Sequence, residues 1–582
     1  MELKKLKANL KKDYSSFKKI KLAILSDAST EFLTLAIRGL GYDLGYDFEI
    51  YVATYGALEN ELLNTHADLY KFNPDFILLF QTVKKLQSQF YFLNDDQKQN
   101  FAEDGVRKLQ TYYDFVLSKN SSCKIIYANF PEMFASVFGN YATKVSSSFE
   151  YQLRKLNFEL MNLCQKLGNL FINDLSKIQN LSGIPQFHDS RMHINADFAY
   201  APDILPAIAK NTTDIILALD GHIKKCVILD LDNTLWGGVI GDDGIENIEI
   251  GSLGIGKAFT EFQIWLKQLQ NRGIILAVCS QNNEEIAQGP FLNHPEMVLK
   301  LEDFALFVAN WGSKAENIKH IQKTLNIGFN SLVFLDDDPY QRTLVKNYLP
   351  EVCVPDLPKD PSDYLAYLNT LNLFETSTYS DADKQRNQYY REEVNREALK
   401  GYYTTEADYL KKLEMVAEVL PFNAYTLPRI SQLIQRSNQF NLRTIRYTEA
   451  ELQALSQSHD HVCLAFSLHD KFGGYDIVSI IILREESEKN WFIDTWIMSC
   501  RVLKRGLEDF VLNHIIALAK SKQYHTVIGE YIPTAKNALV ANHYATMQFR
   551  EHDLRWHLDV TTHEPIVCYI QKKEQKSCQA AV

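Results

Sequence analysis

The sequence contains no run of 18 or more apolar residues, which argues against a transmembrane helix. Its first 30 residues also lack the long apolar stretch of a secretory signal peptide. Gly (25) and Pro (16) are scarce among 582 residues, which excludes collagen-like and low-complexity chains. The nine cysteines never form a Cys-x-x-Cys pair. We therefore expect a cytoplasmic protein without a structural zinc site.

The sequence also has no excess of positively charged residues. The net charge of −11 argues against a dedicated nucleic-acid binder. The exception is the basic segment Met1–Lys21, in which Leu3, Leu6 and Leu10 recur at helical spacing. This pattern fits either a helix that docks on the protein through its leucines or a helix that lies on a membrane surface.

Apolar residues are plentiful, and the length predicts about three domains. In the first third, short apolar runs alternate with amphipathic helices, which indicates a parallel sheet with flanking helices. A second unit of the same kind follows, and the last third has alternating antiparallel strands with helices. The predicted strands are Leu22–Leu25, Phe76–Phe80, Lys124–Tyr127, Leu170–Ile172; Cys226–Leu229, Ile274–Cys279, Phe304–Ala309, Leu332–Leu335; and Met415–Pro421, Val462–Leu468, Ile477–Leu483, Trp491–Met498, Val527–Tyr531.

These patterns predict a multidomain α/β protein. The expected domains span residues 1–219, 220–362 and 411–582, with a helical linker over 363–410. Only about 36 residues separate Trp236 from Arg272, and a predicted helix occupies a third of them. The central domain therefore has room for a small flap over Gly237–Gly256 and none for a large cap, which suits a bulky substrate.

The strongest local signal is Asp230-Leu-Asp232, directly after the apolar strand Cys226–Leu229. Functional groups collect at the carboxyl ends of strands in open α/β sheets. Two carboxylates at such an end favour Mg²⁺, which prefers one or two carboxylates with phosphate oxygens and water. A carboxylate can also attack phosphorus while its neighbour transfers a proton. A strand that simply ends in a capping Asp is the alternative.

Other strand ends carry matching groups. Ser280 follows one strand and Asp336-Asp337-Asp338 follows another. Between them, Ser313 and Glu316 fit a capping box, which puts Lys314 in the first turn of a helix. A cation is disfavoured there by the helix dipole unless it neutralises a phosphoryl group. A surface lysine is the alternative.

The order Asp230-x-Asp232-x-Thr234, Ser280, Lys314, Asp336-Asp337 resembles the four motifs of the haloacid dehalogenase superfamily. Longer segments resemble its FkbH-like family, subfamily IIIC, densely over residues 200–580 and weakly before them. They are DLDNTLWGGVIGDDG from Asp230, AVCSQN from Ala277, HPEMVL from His294, NWGSK from Asn310 and FLDDDP from Phe334. Gln281 departs from the pattern, since a Lys is expected there.

The resemblance implies a role for each matched residue. Asp230 corresponds to the nucleophile and a magnesium ligand, and Asp232 to the general acid and base, with its carbonyl on the metal. Ser280 and Lys314 correspond to stabilisers of the phosphate. Asp337 is the third metal ligand, with Asp336 as the alternate. Candidate substrate-binding residues are Thr234, Trp236 and Asn282, and Trp236 is alternatively a packed aromatic at the base of the flap.

FkbH-like proteins load the glyceryl unit of 1,3-bisphosphoglycerate, a phosphorylated three-carbon acyl donor, onto an acyl carrier protein through an enzyme thioester and remove the phosphate. That chemistry needs a thiol. Cys279 is the cysteine beside a catalytic strand end, where Mg²⁺ and Lys314 would favour its ionisation. A buried cysteine at the end of a core strand is the alternative.

The last third resembles the GNAT domain usual in this family, over QLIQRSNQFN from Gln432, DTWIMSCRVLKRG from Asp494, YIPTAKN from Tyr531 and Tyr544–Phe549. A strand, then Arg501 to Gly506, then a helix could offer backbone N–H groups to a pyrophosphate. Arg501, Arg505 and Gly506 are therefore the candidate carrier-binding or pantetheine-binding residues. Lys504 stands where acetyltransferases have glycine, so binding is expected and acetyl transfer is not.

The first third is weakly similar to SGNH hydrolases. Ala28 occupies the nucleophile position in Ser26-Asp27-Ala28, and Asp189 and His193 are one residue too far apart. We expect a degenerate hydrolase fold. Three further functions compete with glyceryl transfer: a phosphatase for a small phosphorylated metabolite, a non-enzymatic scaffold that docks carrier proteins, and an esterase that uses Ser26 or Ser29.

Overall fold

The structure is a computed structural model that describes residues 2–133, 136–196, 198–379, 389–392, 396, 399–400, 402–487, 489–499, 502–534 and 536–573. The chain divides into two compact units, Met1–Leu217 and Ala218–Val582. Within the predicted helical linker over 363–410, residues 380–388, 393–395, 397–398 and 401 lie outside the described residues. The predicted domain boundaries at 362 and 410 stay predictions.

The first unit is built on a five-stranded parallel sheet. Its strand order is β2-β1-β3-β4-β5, with β1 Lys18–Ser26, β2 Tyr46–Val52, β3 Phe76–Phe80, β4 Lys124–Ala128 and β5 Leu170–Asn173. All five residues of β3 are buried, as expected where helices cover both faces of a sheet. The strand β2, which the sequence analysis missed, has a mixed burial pattern at the edge.

The helices of this unit lie between and around those strands. They span Leu3–Asn9, Glu31–Leu44, Leu58–Leu63, Asp68–Phe72, Val83–Tyr91, Asp95–Gln99, Phe101–Lys119, Phe149–Lys166, Leu175–Ser182, Ile184–Phe187 and Ser190–Ala196, with 3₁₀ turns at Gly139–Lys144 and Pro202–Ile204 and then the helix Leu205–Leu219.

The basic leading helix Leu3–Asn9 is docked on the protein. Leu6 is fully buried, and the Asn9 amide donates a hydrogen bond of 2.9 Å to the Gly39 carbonyl. A Cβ on Gly39 would lie 2.4 Å from the Leu6 carbonyl oxygen, so glycine permits this close approach. The sequence left two alternatives, a helix docked on the protein and a helix on a membrane surface. In the structure the helix is docked on the protein.

The second unit begins with a four-stranded parallel sheet. Its order is β8-β7-β6-β9, with β6 Cys226–Leu229, β7 Ile275–Ser280, β8 Phe304–Ala309 and β9 Leu332–Leu335. Its helices span Ile240–Asp243, Gly256–Asn271, Glu284–Asn293, Lys314–Leu325, Pro339–Tyr348 and Tyr364–Leu371, with 3₁₀ turns at Leu301–Asp303, Phe329–Ser331 and Pro361–Asp363. Because β7 and β9 flank β6, the three strands end side by side at the carboxyl edge of this central sheet.

The flap over the central sheet is small, as predicted. It holds the short helix Ile240–Asp243 and an isolated antiparallel bridge between Gly237 and Glu249. Gly238 adopts φ 92°, a left-handed conformation that favours glycine at this turn. The flap leads directly into the helix Gly256–Asn271.

The last part of the chain forms a nine-stranded mixed sheet. Its path is β16-β17-β15-β14-β13-β12-β10-β18, and β11 pairs with β14. The strands are β10 Val416–Pro421, β11 Phe440–Asn441, β12 His461–Asp470, β13 Gly473–Ser487, β14 Asn490–Met498, β15 Thr526–Gly529, β16 Arg550–His552, β17 Arg555–Asp559 and β18 Gln571–Lys572. The helices are Glu406–Lys412, Leu427–Arg436, Glu449–Gln457, Leu507–Ser521 and His543–Thr546, with a 3₁₀ turn at Ala538–Val540.

The architecture confirms the predicted multidomain α/β class. Within the described ranges, no helix combines the length and the apolar character needed to span a bilayer.

Candidate active site

The predicted catalytic groups meet at the carboxyl edge of the central sheet. Asp230 follows β6, Ser280 ends β7, and Asp336 follows β9. The Asp230 N–H donates a hydrogen bond of 3.0 Å to the Leu335 carbonyl, so the parallel pairing of β6 and β9 extends to the edge itself. Sheet geometry alone therefore brings together residues that lie about a hundred positions apart in the chain.

Lys314 bridges two of the carboxylates. Its Nζ lies 2.8 Å from Oδ2 of Asp230 and 2.6 Å from Oδ2 of Asp336, and all three side chains are buried. Burial lowers the pKa of the Lys314 ammonium, but the two carboxylates outweigh it and hold the pKa above its usual value. The lysine is therefore a permanent positive charge inside the site, and the surface alternative does not apply.

The helix that carries Lys314 starts without the predicted capping box. In the described part of the chain, the Ser313 side chain makes no capping hydrogen bond. Glu316 instead pairs with Lys319, whose Nζ lies 2.7 Å away on the exposed face. That prediction was wrong, because an i,i+3 ion pair on the surface competes for the same carboxylate.

The acidic residues form a metal-ligand set. One carboxylate oxygen each of Asp230, Asp336 and Asp337 lies within 4.8 Å of the others. Burial and the nearby Asp230 carboxylate raise the pKa of Asp336 to about 7, although Lys314 opposes the shift. Three carboxylates and one ammonium carry a formal charge of −2, which a hard divalent cation with oxygen ligands would balance. The donor chemistry therefore fits Mg²⁺.

Hydrogen bonds distinguish the two candidate third ligands. Asp336 is engaged at both oxygens, since Oδ2 contacts Lys314 and Oδ1 accepts the Asp338 N–H at 2.8 Å. Asp337 accepts the Thr234 hydroxyl at 3.2 Å through Oδ1. Asp337 thus has more free acceptor capacity for a cation, which favours it over Asp336.

Asp232 is held in place by the flap and by Asn282. Its Oδ1 accepts the Trp236 indole N–H and the Ile240 backbone N–H, each at 3.0 Å, and its Oδ2 accepts the Asn282 amide at 3.1 Å. Burial raises the pKa of the Asp232 carboxyl, and these hydrogen bonds oppose the rise. A carboxyl with a raised pKa near a second carboxylate is suited to proton transfer, and the role of Asp232 as general acid and base stays a prediction.

The candidate substrate-binding residues have contacts inside the protein. Trp236 is fully buried and packs edge-on against Phe291, with ring centroids 5.5 Å apart. Thr234 donates to Asp337 and also accepts its backbone N–H at 3.1 Å. Together with Asn282, these side chains orient Asp232 and Asp337, and direct contact with a substrate stays a prediction.

Sequence reasoning missed Arg342. Its Nη1 donates to the carbonyls of Asp336 at 2.8 Å and Asp337 at 2.6 Å, and the residue is buried. It thereby fixes the loop that presents both carboxylates. The only sequence signal for this role is that the arginine lies in the helix that starts at Pro339, directly after the acidic run. An arginine on an exposed helix face would give the same sequence pattern, so the signal does not identify a buried contact.

Cys279 lies on the apolar face of the sheet beneath the helix Lys314–Leu325. Its side chain is fully buried in the same cluster as Cys226 and Ile228. The thiol donates to the Lys314 carbonyl, with Sγ 3.8 Å from the oxygen. Burial raises the pKa of the Cys279 thiol well above its usual value, which disfavours the thiolate. Its role as an acyl carrier stays a prediction.

Ser280 and the C-terminal candidates have different environments. Ser280 is buried at the end of β7, beside the acidic cluster. Arg501 lies outside the described residues. The Arg505 guanidinium is buried against Asp470, at 3.4 Å, and Gly506 caps the helix Leu507–Ser521 at φ 75°. Carrier or pantetheine binding there stays a prediction.

The hydrolase-like positions of the first unit are engaged in local hydrogen bonds. Oγ of Ser26 accepts the Ala28 N–H at 3.1 Å. The His193 N–H donates to the Asp189 carbonyl at 2.9 Å at the start of a helix, so the two residues share one helical turn. The predicted degenerate hydrolase fold remains a prediction.

Two comparisons identify known proteins to which this chain is similar. The family model described as the FkbH N-terminal domain matches residues 21–217. A crystal structure of the N-terminal part of the protein BF1531 from Bacteroides fragilis, which contains a phosphatase domain complexed with Mg, is 48% identical. It aligns with a TM-score of 0.63 over 65% of this chain and 100% of that one.

Other comparisons are more distant. A ribosomal-protein-S18-alanine N-acetyltransferase from Escherichia coli is 14% identical over 26% of this chain and 99% of its own, with a TM-score of 0.21. A similarity of this size says nothing about activity. A search of curated proteins gives no match.

Proposed function

The chain belongs to the FkbH-like family of the haloacid dehalogenase superfamily, and we propose that it is a Mg²⁺-dependent phosphatase whose nucleophile is Asp230. The observation that carries the proposal is the buried contact of Lys314 with Asp230 and Asp336, beside Asp337. A permanent cation among carboxylates at a strand edge provides what phosphoryl transfer needs, a positioned nucleophile and compensation for phosphoryl charge. The Mg-bound phosphatase domain of the Bacteroides relative supports the same chemistry.

Asp230 and Asp337 would hold the cation, together with the Asp232 carbonyl. When bound, Mg²⁺ would neutralise phosphoryl charge and orient the phosphate. Asp230, Asp336 and Asp337 repel one another more than Lys314 alone can offset, and a cation bound by Asp230 and Asp337 would relieve that repulsion.

In the proposed reaction an Asp230 oxygen forms a bond to phosphorus, and the bond from phosphorus to the leaving oxygen breaks. The protonated Asp232 carboxyl gives its proton to that oxygen. Asp232 then accepts a proton from a water molecule as the water attacks the aspartyl phosphate, which releases inorganic phosphate and restores Asp230. Lys314 and Ser280 contact the phosphoryl oxygens throughout.

A Mg²⁺ titration of p-nitrophenyl phosphate hydrolysis tests the ligand assignment. We expect Asp337→Asn to raise the Mg²⁺ concentration for half-maximal activity by about tenfold or more, since one charged ligand is lost. The matched control is Asp338→Asn, because Asp338 caps the helix Pro339–Tyr348 through its contact with the Tyr340 N–H and Asn caps equally well. Equal shifts in both variants would contradict the assignment of Asp337.

We further propose, from the family resemblance, that the phosphate is removed during glyceryl transfer from 1,3-bisphosphoglycerate to an acyl carrier protein. A thiolate would attack the acyl carbon, the carbon–sulfur bond would form, and the bond to the acyl phosphate oxygen at carbon 1 would break with release of the first phosphate. The phosphate ester at carbon 3 would be hydrolysed by the Asp230 and Asp232 reaction described above, which consumes one water molecule, releases the second phosphate and leaves a glyceryl group. The carrier thiol would then displace the enzyme thiol. The small flap supports this proposal, since a flap of this size encloses the site less than a large cap domain would.

Intact-protein mass spectrometry with Mg²⁺ and freshly generated 1,3-bisphosphoglycerate tests Cys279 as that thiol. We expect a mass increase of one glyceryl or phosphoglyceryl group, removed by hydroxylamine, in wild type and in Cys226→Ala, and no glyceryl or phosphoglyceryl group in Cys279→Ala. Cys226 is a matched control, because it is buried in the same apolar cluster on the neighbouring strand. Phosphate release without any adduct would leave the protein a phosphatase and Cys279 a core residue.

A further inference from the structure

The carboxyl edge of the central sheet carries large apolar side chains outside the acidic cluster. Three strands are each followed by one of them: Val239 lies in the flap after β6, Trp311 follows β8, and Tyr340 follows β9. Their exposed fractions are 39%, 77% and 69%, in that order, and we call these three residues the rim. Because β8 and β9 are the outer strands of the sheet, the rim lies on both sides of the strand that ends at Asp230.

Trp311 is the most unusual residue of the rim. All six tryptophans of the sequence lie within the described ranges, and Trp311 alone is exposed, whereas the others are buried or half-buried. A covered indole removes a large apolar area from water, so an exposed one forgoes a favourable free energy. Trp311 lies three residues before Lys314, whose Nζ is 2.8 Å from Asp230. Packing within the chain does not account for this indole, whereas contact with a ligand at the site would.

A glutamine links the two aromatic residues of the rim to the catalytic edge. Gln281 directly follows β7, its Nε2 donates to the Gly312 carbonyl at 3.1 Å, and its Oε1 accepts a hydrogen bond of 3.0 Å from Gln341 Nε2. Gly312 is the residue after Trp311. Gln341 is likewise the residue after Tyr340. One side-chain amide therefore joins both segments, and the lysine expected at this position, which has donors only, could not make the second bond.

The flap places the third rim residue beside the proposed general acid. Val239 directly precedes Ile240, whose backbone N–H donates to Asp232 Oδ1 at 3.0 Å. The Val239 N–H donates to Asp243 Oδ2 at 2.7 Å, which fixes the backbone of the flap here. A general acid must lie within hydrogen-bond reach of the leaving oxygen. The organic group attached to that oxygen is therefore held on the side of the site where Val239 lies.

We propose that the rim binds the organic group of the phosphorylated substrate and selects apolar groups with flat or extended carbon surfaces. The proposal rests on the phosphatase function of Asp230 and does not depend on glyceryl transfer. The carboxylates and Lys314 recognise the phosphate, which all such substrates share, so side chains outside that centre must distinguish the organic groups. An indole and a phenol ring provide flat apolar faces for carbon atoms. The rim therefore gives the site a preference among phosphorylated compounds.

Steady-state hydrolysis of two phosphorylated compounds by the full-length protein with Mg²⁺ tests the proposal. The organic group of p-nitrophenyl phosphate is an aromatic ring, and that of acetyl phosphate is a short acyl group. We expect Trp311→Ala/Tyr340→Ala to lower the ratio of kcat/KM for p-nitrophenyl phosphate to kcat/KM for acetyl phosphate by about fivefold or more, because only the first substrate loses ring contacts. A disturbance of Lys314 or of the metal site would lower both values and leave their ratio.

The matched control is Tyr348→Ala. Tyr348 is 68% exposed and ends the helix Pro339–Tyr348, whereas Tyr340 lies in the first turn of the same helix. The control thus removes an equally exposed phenol away from the catalytic edge, and it should keep the ratio within about twofold of wild type. Trp311→Phe, which retains a flat ring, should keep the ratio within about threefold.

The outcomes separate the rim from the phosphatase function on which it rests. A wild-type ratio in Trp311→Ala/Tyr340→Ala, or an equal fall in that variant and in Tyr348→Ala, would overturn the role of the rim and leave the phosphatase in place. If wild type hydrolysed neither compound with Mg²⁺, the proposed function would be contradicted, and the role of the rim would be overturned with it.

Discussion

Asp230→Asn is expected to lower kcat for p-nitrophenyl phosphate by about a thousandfold or more, because an amide cannot attack phosphorus as a carboxylate does. The substitution keeps the shape of the side chain. It also leaves Lys314 paired with Asp336, whose Oδ2 lies 2.6 Å from Nζ. The fold should therefore persist, and the loss should lie in kcat.

Steady-state kinetics beside circular dichroism melting separates the chemical loss from unfolding. Asp338→Asn serves again as the control, since it also replaces a carboxylate by an amide, in the acidic run that follows β9, and it should retain kcat within about threefold. Activity of Asp230→Asn within tenfold of wild type, in a folded protein, would mean that another group attacks the phosphate.

Lys314→Met is expected to remove activity and also to destabilise the fold. Methionine has a similar length but no charge, so Asp230 and Asp336 would remain buried without their cation. Removing one partner of a buried ion pair lowers the free energy of unfolding by about 3–5 kcal/mol. The loss of kcat should again reach about a thousandfold, because the positive charge beside the phosphoryl group is gone.

Denaturant unfolding with and without Mg²⁺ tests this second expectation. The variant keeps three carboxylates and no ammonium, so Mg²⁺ should stabilise it more than it stabilises wild type. The control is Lys319→Met on the exposed face of the same helix, where the surface pair with Glu316 contributes about 0–1 kcal/mol. Equal stability of the two methionine variants would show that Lys314 is not essential to the charge balance of the site.

The position of the site was predictable because it follows from local rules. Each acidic motif can be recognised from the residues next to it, because an apolar strand directly precedes both Asp230-x-Asp232 and Asp336-Asp337. Parallel strands end at the same edge of a sheet, so the two motifs were expected to lie close together. The same reasoning gave most strands of the central sheet within one residue. Even β7, expected at Ile274–Cys279, forms at Ile275–Ser280.

The supporting contacts could not be predicted, because they depend on side-chain positions in three dimensions. The bonds of Arg342 to the Asp336 and Asp337 carbonyls and of Tyr364 to the Asn233 carbonyl, at 3.3 Å, join residues with no shared pattern. The capping box at Ser313 failed because Glu316 has a nearer surface partner in Lys319. Helix propensity and capping preferences do not show which of two possible partners the Glu316 carboxylate will contact.

Short edge strands were missed for another reason. β11 has two residues, β16 has three and β18 has two, and all residues of β16 and β18 are exposed. Strands of this length contain no alternation from which to recognise them, and they form only because a longer neighbour offers unpaired backbone groups. The face of a strand on which a side chain lies is also hard to predict. Cys279 is next to Ser280 in the sequence and therefore close to the site, but its side chain lies on the packed face of β7.

Trapping of the covalent intermediate tests the central claim most directly. Wild-type protein would be mixed with Mg²⁺ and a ³²P-labelled phosphate ester, quenched in acid within the first turnover, and mapped by peptide mass spectrometry. The account predicts a phosphoryl group on Asp230, present in Cys279→Ala and absent in Asp230→Asn. Turnover without that adduct, or a phosphoryl group on a different residue, would contradict it.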